Sequence, residues 1–107
     1  MEKILGKIEK ATFGTGGYQG AMTGLGVTLK MGCTGVSDFI GWWDTYPEHA
    51  KYTHDEWAAE HLKCYMRIQE IMKQAKCSDI SKLAGTPIEV TLDGNALKEW
   101  RVLTEVL

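Results

Sequence analysis

The 107-residue sequence has no basic excess: 12 lysines and arginines stand against 14 aspartates and glutamates, for a formal net charge of −2. A protein whose main work is to neutralise phosphates along a duplex needs a positive stripe, so nucleic-acid binding is not expected as its principal activity. Cysteine is scarce and unpaired. Cys33, Cys64 and Cys77 form no C-x-x-C motif, and an odd number argues against a secreted disulfide framework. On one helix, Cys64 and Cys77 would lie about 20 Å apart, beyond bridging distance. All three are read as reduced thiols of a cytoplasmic protein. No window approaches the roughly 20 apolar residues of a membrane span. The N-terminal M-E-K-I-L-G-K lacks the apolar stretch and cleavage site of a leader. The expectation is a soluble, untargeted chain with no membrane partner, folded as a single domain over 1–107. At that length roughly two thirds of the unfolded surface can be buried without disulfides or metals.

Catalytic and metal-binding patterns are missing as well. No Ser-His-Asp or Cys-His arrangement is signalled, and Asp38, Asp44, Glu48 and Asp55 are too scattered to form a carboxylate pair. His54, His61 and Cys64 fall on one helical face, but a zinc site needs a second ligand cluster that the sequence does not supply. No metal or cofactor is expected, and binding is favoured over catalysis.

What the chain has in excess is glycine. Nine of the twelve glycines and two of the four tryptophans fall between Phe13 and Trp43. Glycine loses more conformational freedom on folding than any other residue, so such density implies tight turns, bulges or close approach to the backbone. Around it the pattern is legible. Lys3 to Phe13 alternates with period two, Ile4, Gly6 and Ile8 opposing Lys3, Lys7 and Glu9. The parity then changes at Ala11 and Phe13, which predicts a bulge near Glu9 to Ala11. A loop is expected over 14 to 20. Ala21 to Met31 reads as a strand with Leu25, Val27 and Leu29 on one face and Gly24 and Gly26 clearing a trough on the other. Gly32 to Gly35 reads as a turn, and Val36 to Trp43 as a third strand.

Asp44 to Tyr52 reads as a surface loop, and Thr53-His54-Asp55-Glu56 as a capping box opening one long helix that reaches Lys76. Its buried stripe is Trp57, His61, Cys64, Tyr65, Ile68, Ile71, Met72 and Ala75. A short helical turn capped by Ser78 follows. Two final strands, around Val90 and over Leu97 to Leu107, close on Asp93-Gly94-Asn95. The fold class is therefore α+β: an antiparallel sheet of about five strands, one long helix packed on one face, and a short helical turn.

Candidate contacts come from the same stretch. Glycines at 14, 16, 17 and 20 break G-x-G-x-x-G, no G-K-[ST] follows, and a strand comes next. The segment is then either a hairpin tip or a nest in which Gly16 and Gly17 offer backbone donors to a phosphate beside the Tyr18 ring. Trp42 and Trp43 face opposite sides of their strand, one toward the core and one toward solvent, with Tyr46 and Tyr52 nearby. An exposed ring is a platform for a nucleobase, worth roughly 1–3 kcal/mol per stacked base. Gly35 offers a backbone donor, and Asp38 is either a ribose acceptor or a plain surface carboxylate. Arg67 and Arg101 are the only arginines, with forks that suit phosphate, although Arg101 also fits an outward strand charge.

The order of motifs carries a resemblance across nearly the whole chain. G-K-I-E-K-A-T-F-G, G-A-M-T-G-L-G-V-T-L, the stretch 32 to 43 reading G-C-T-G-V-S-D-F-I-G-W-W, L-A-G-T-P-I-E-V-T-L-D-G-N and the terminal W-R-V-L-T-E-V-L resemble a family of small uncharacterised bacteriophage and prophage proteins. Early strands, a glycine-aromatic strand, a helix and an L-x-G-x-P strand are also similar to phage Thoeris anti-defence proteins. Those sequester cyclic ADP-ribose-type signals made by bacterial TIR immune enzymes without degrading them. Residue-level correspondence stops at the stretch 35 to 43.

The resemblance implies a non-enzymatic phage protein, acting in the cytoplasm of an infected or lysogenic bacterium, that sequesters a small nucleotide-derived signal. Tyr18, Trp42 or Trp43 would stack on the base, Gly16, Gly17 and Gly35 would donate from the backbone, Asp38 would meet the ribose, and Arg67 or Arg101 the phosphate. The trough glycines add the expectation of a homo-oligomer with its pocket between subunits. The alternative is a protein-binding inhibitor of a host defence or replication factor, acting through an exposed Trp/Tyr patch.

Overall fold

The period-two stretches fold as strands in the computed structural model, which describes residues 1–44 and 53–107. Strand β1 runs Glu2–Gly16, β2 Met22–Met31 and β3 Thr34–Trp43. Helix α1 covers His54–Gln74, and β4 (Pro87–Asp93) and β5 (Ala96–Val102) form the last hairpin. Every strand pairing is antiparallel, and the order across the sheet is β3-β2-β1-β4-β5. The α+β class stands, with five strands and one long helix among the described residues. The expected loop over Asp44 to Tyr52, with Tyr46 and Tyr52, lies outside the described residues apart from Asp44.

β1 serves two neighbours in succession. Its residues Glu2 to Lys7 pair with β4 and Lys7 to Gly16 with β2, with a register shift between Ile8 and Lys10 where the parity change falls. The bulge adds twist at the point where the partner changes. Close approach sets the side-chain size there: a Cβ on Gly6 would collide with the Lys30 carbonyl of β2.

That twist rolls the sheet. Four inter-strand steps of about 4.8 Å would hold β3 and β5 about 19 Å apart if the sheet were flat. Instead Trp100 Nε1 on β5 donates to Asp38 Oδ2 on β3 at 2.8 Å. The inner surface forms one core, in which Ile8, Leu25, Leu29, Leu83, Ile88 and Val90 are fully buried.

α1 starts at the capping box read from the sequence: Glu56 N donates to Thr53 Oγ1 at 3.1 Å, and Thr53 N to Glu56 Oε1 at 3.0 Å. The helix then bridges the two outer strands. Trp57 Nε1 donates to the Trp43 carbonyl at 3.3 Å and Cys64 Sγ to the Gly41 carbonyl at 3.2 Å, both on β3. Arg67 Nη2 donates to the Trp100 carbonyl on β5 at 3.5 Å, with its guanidinium 5.8 Å from the Trp100 ring centroid. Burial, then the nearby Glu60 charge, pushes the Cys64 thiol pKa up. No described helix is long and apolar enough to cross a membrane.

Four sequence expectations change. β1 extends to Gly16, so the loop expected from Gly14 shrinks to a turn around a 3-10 segment at Tyr18–Gly20. Tyr65 is 54% exposed rather than part of the buried stripe, because the helix rests on Cys64, Ile68 and Ile71. Asp79, not Ser78, caps the turn at Ile80–Leu83, its Oδ1 accepting from Ser81 N at 2.8 Å. β5 stops at Val102, and the chain coils into a 3-10 turn at Thr104–Val106 instead of continuing as a strand.

Candidate functional site

The register of β1, β2 and β3 lines up side chains in rows across the outer face of the sheet. Lys10, Thr28 and Ser37 form one row, Thr12, Gly26 and Phe39 the next, then Gly14, Gly24 and Gly41, and finally Gly16, Met22 and Trp43. The third row has no side chains at all. Gly24 and Gly41 face each other across the strands so closely that a Cβ on Gly24 would strike the Ile40 carbonyl and the Gly41 backbone. Bare backbone here is a packing requirement of the β2–β3 pair.

Phe39 occupies the space these glycines leave. Its ring atoms come within 2.7 Å of where a Gly16 Cβ would sit, 2.6 Å at Gly41 and 3.5 Å at Gly26. On the other side of the ring lies a groove of about 410 Å³, lined by Lys10, Thr12, Gly26, Thr28, Ser37 and Phe39 together with Val27 and Asp38. Its lining combines the aromatic Phe39 on β3, the hydroxyl residues Thr12, Thr28 and Ser37, and Lys10 diagonally across on β1. Lys30 is held by Glu9 at 3.7 Å, whereas Lys10 has no carboxylate partner among the described residues.

Beyond the glycine row the aromatic character continues. Trp43 stands edge-on to Tyr18, with ring centroids 6.5 Å apart, and Tyr18 is 68% exposed. Gly17, at φ +68°, turns the chain against Met22 and so carries Tyr18 to this end of the face. Gly16, Gly17, Tyr18 and Trp43 are therefore neighbours.

The other sequence candidates lie elsewhere. Trp42 points to the inner face, 6.3 Å from the Phe13 ring and 5.2 Å from His61. Gly35 lies on the exposed first half of β3, with the Leu29 carbonyl nearby. Asp38 faces inward opposite Val27, its Oδ1 accepting from Phe39 N at 2.9 Å and its Oδ2 from Trp100. Arg67 sits over Trp100 at the seam. Arg101, on the outer face of β5, is engaged by Glu89 at 3.1 Å and by Glu105 at 2.9 Å. No group of three or more His, Cys, Asp or Glu that could hold a metal occurs among the described residues.

The sequence reading passed over Phe39, Lys10, Thr12 and Thr28. Their signal was parity: Phe39 shares a strand face with Gly35, Gly41 and Trp43, and hairpin register places it beside Gly26. Comparison with protein-family models, with curated proteins and with solved structures finds no match to this chain.

Proposed function

We propose that this protein is a non-enzymatic binder of a small nucleotide-type ligand, held on the outer face of β1, β2 and β3. The observation that carries the reading is the groove beside Phe39, lined by one aromatic ring, three hydroxyl residues and a lysine without a carboxylate partner among the described residues. A base would stack on Phe39, ribose hydroxyls would meet Thr12, Thr28 and Ser37, and a phosphate would meet Lys10. The groove volume falls within the range of small-molecule sites. Stacking supplies affinity, and the single cation supplies orientation.

The sequence resemblance supports a role in which a phage or prophage protein sequesters a cyclic ADP-ribose-type immune signal in the bacterial cytoplasm and counteracts host defence without turnover. In this reading α1 packs on one face of the sheet and leaves the opposite face to the ligand. Exposed Leu62, Tyr65 and Met66 on α1 support self-association as a homo-oligomer.

A second reading, a single-stranded oligonucleotide, is favoured by the line Phe39, Trp43, Tyr18 along the same face. A rolled five-stranded sheet in the order β3-β2-β1-β4-β5 is also an arrangement of small Greek-key barrels that bind oligonucleotides on their strand 2–3 face, an analogy of fold alone.

Isothermal titration calorimetry with cyclic ADP-ribose isomers, ADP-ribose, cyclic oligonucleotides and a thymidine oligomer tests both readings. The expected result is micromolar or tighter binding to a small nucleotide with that ligand recovered intact. Tighter binding of the oligomer would favour the second reading, and no binding by any member would sink both.

A further inference from the structure

Helix α1 is apolar on two faces. Cys64, Ile68 and Ile71 are buried against the core, and on the opposite side Leu62, Tyr65 and Met66 are each more than half exposed. A groove of about 660 Å³ continues from there along the second half of the helix, between Tyr65, Met66, Glu70 and Met72 among others. We propose that a second copy of this chain packs its α1 antiparallel into this groove, about a two-fold axis near Met66 to Ile68. The proposal rests on the homo-oligomer reading above and gives it an interface. It shares no residue with the groove beside Phe39.

Helical spacing, about 100° per residue, places Leu62, Met66, Gln69 and Lys73 along the crest of this outer face. Lys63 and Glu70 lie on one flank of the crest, and Tyr65 and Met72 on the other. A parallel pair of helices sets each flank against the opposite flank of its partner, so charge would meet apolar surface. An antiparallel two-fold sets each flank against itself. Lys63 then meets Glu70 of the second copy and Glu70 meets its Lys63, while Tyr65 and Met72 exchange in the same way on the other side. One register serves both flanks, because the first pair is centred between Met66 and Arg67 and the second between Ile68 and Gln69. Met66 and Gln69 interdigitate at the middle of that register.

Charge identifies the second copy as the occupant. No ion pair involves Lys63 or Glu70 among the described residues, and Glu70 accepts only from Gln74 Nε2, at 3.2 Å. An acidic partner would leave Glu70 opposed, and a basic one Lys63. A flank carrying both signs at heptad spacing is complementary to its own reverse, which is the condition an isologous interface has to meet. The same register brings the Lys73 stem over Leu62 of the second copy, where its methylenes cover the leucine while the ammonium stays in water.

Sedimentation velocity of the whole chain over a range of concentrations tests the proposal, with circular dichroism to confirm that each variant is folded. The parent is expected to be dimeric at about 100 μM. Lys63→Glu and Glu70→Lys each set like charges together twice and are expected to raise the dimer Kd at least about tenfold. Mixing the two variants, or combining both substitutions in one chain, restores opposite charges and should recover the parent Kd to within about threefold. Met66→Asp, at the middle of the register, should leave a monomer. A parent that stays monomeric at about 100 μM would overturn this interface and the homo-oligomer reading together. A dimer left intact by Met66→Asp and by both single charge reversals would overturn the interface alone. Weakened single variants that do not recover on mixing would overturn the antiparallel register.

Discussion

Trp100 Nε1 and Asp38 Oδ2 meet at 2.8 Å, although 62 residues and three intervening strands separate them. Asp38 spends its other oxygen on the Phe39 amide, so one carboxylate fastens the rolled sheet and holds the backbone of the residue that walls the groove. Trp100 is 4% exposed, so its N–H depends on Asp38 for a partner.

Asp38→Ala is accordingly expected to lose about 1.5–3 kcal/mol of unfolding free energy in urea, the usual cost of removing a charged partner from a buried donor. Asp38→Asn keeps an acceptor and should lose less. An alanine variant as stable as the parent would contradict the role of Asp38 as a fastening.

The glycines of β2 and β3 divide into two kinds. A Cβ on Gly41 would meet the Thr23 carbonyl and the Phe39 ring, so Gly41→Ala should cost about 1–3 kcal/mol by overpacking. A Cβ on Gly26 would make ordinary contacts at 3.5 Å with Phe39 and Thr12, so Gly26→Ala should change stability by less than about 1 kcal/mol while raising the groove floor. Denaturation curves and ligand titrations on the two variants separate packing from binding.

Thiol reactivity should follow exposure. Cys33 is exposed, Cys77 half-buried and Cys64 buried with its pKa raised, first by burial and then by Glu60. Mass spectrometry of iodoacetamide-treated protein is expected to find Cys33 modified first and Cys64 last, since the thiolate is the reacting form. Early modification of Cys64 in the folded protein would contradict its contact with the Gly41 carbonyl.

Much of this fold was legible because its signals are local. Alternation marked the strands, the change of parity at Ala11 marked the bulge, and Thr53 with Glu56 marked the start of α1. The rolling of the sheet was not legible, because it depends on a contact between Asp38 and Trp100 that no local pattern encodes. The candidate site was half legible for the same reason. Gly16, Gly17, Tyr18 and Trp43 stood out by residue type, whereas Lys10, Thr12 and Thr28 are ordinary strand residues until the register of three strands sets them around Phe39. Asp38 stood as a ribose acceptor or surface carboxylate and Arg67 as a phosphate contact; in the structure both meet Trp100 at the seam between β3 and β5.

At the far edge, the Arg101 fork hydrogen-bonds both Glu105 oxygens, at 2.9 and 3.0 Å, and these bonds hold the Glu105 carboxyl down at about 2. A depressed carboxylate stabilises the folded state fully above its unfolded pKa of about 4.5 and loses that contribution as pH falls toward about 2. Both side chains are solvent-exposed, so screening keeps the effect on global stability small. A carbon-detected NMR titration should place Glu105 near 2 in the parent and back in the ordinary glutamate range in Arg101→Gln. An unchanged midpoint would exclude the pair.

The central claim is that the outer face of β1, β2 and β3 is a nucleotide site. Amide chemical-shift mapping during an ADP-ribose titration tests it most directly. The account expects saturable shifts concentrated at Lys10 to Gly16, Gly24 to Thr28 and Ser37 to Trp43, and their loss in a folded Phe39→Ala variant. Saturable shifts confined to the Arg101 edge or to α1, or no shifts at millimolar ligand, would contradict it.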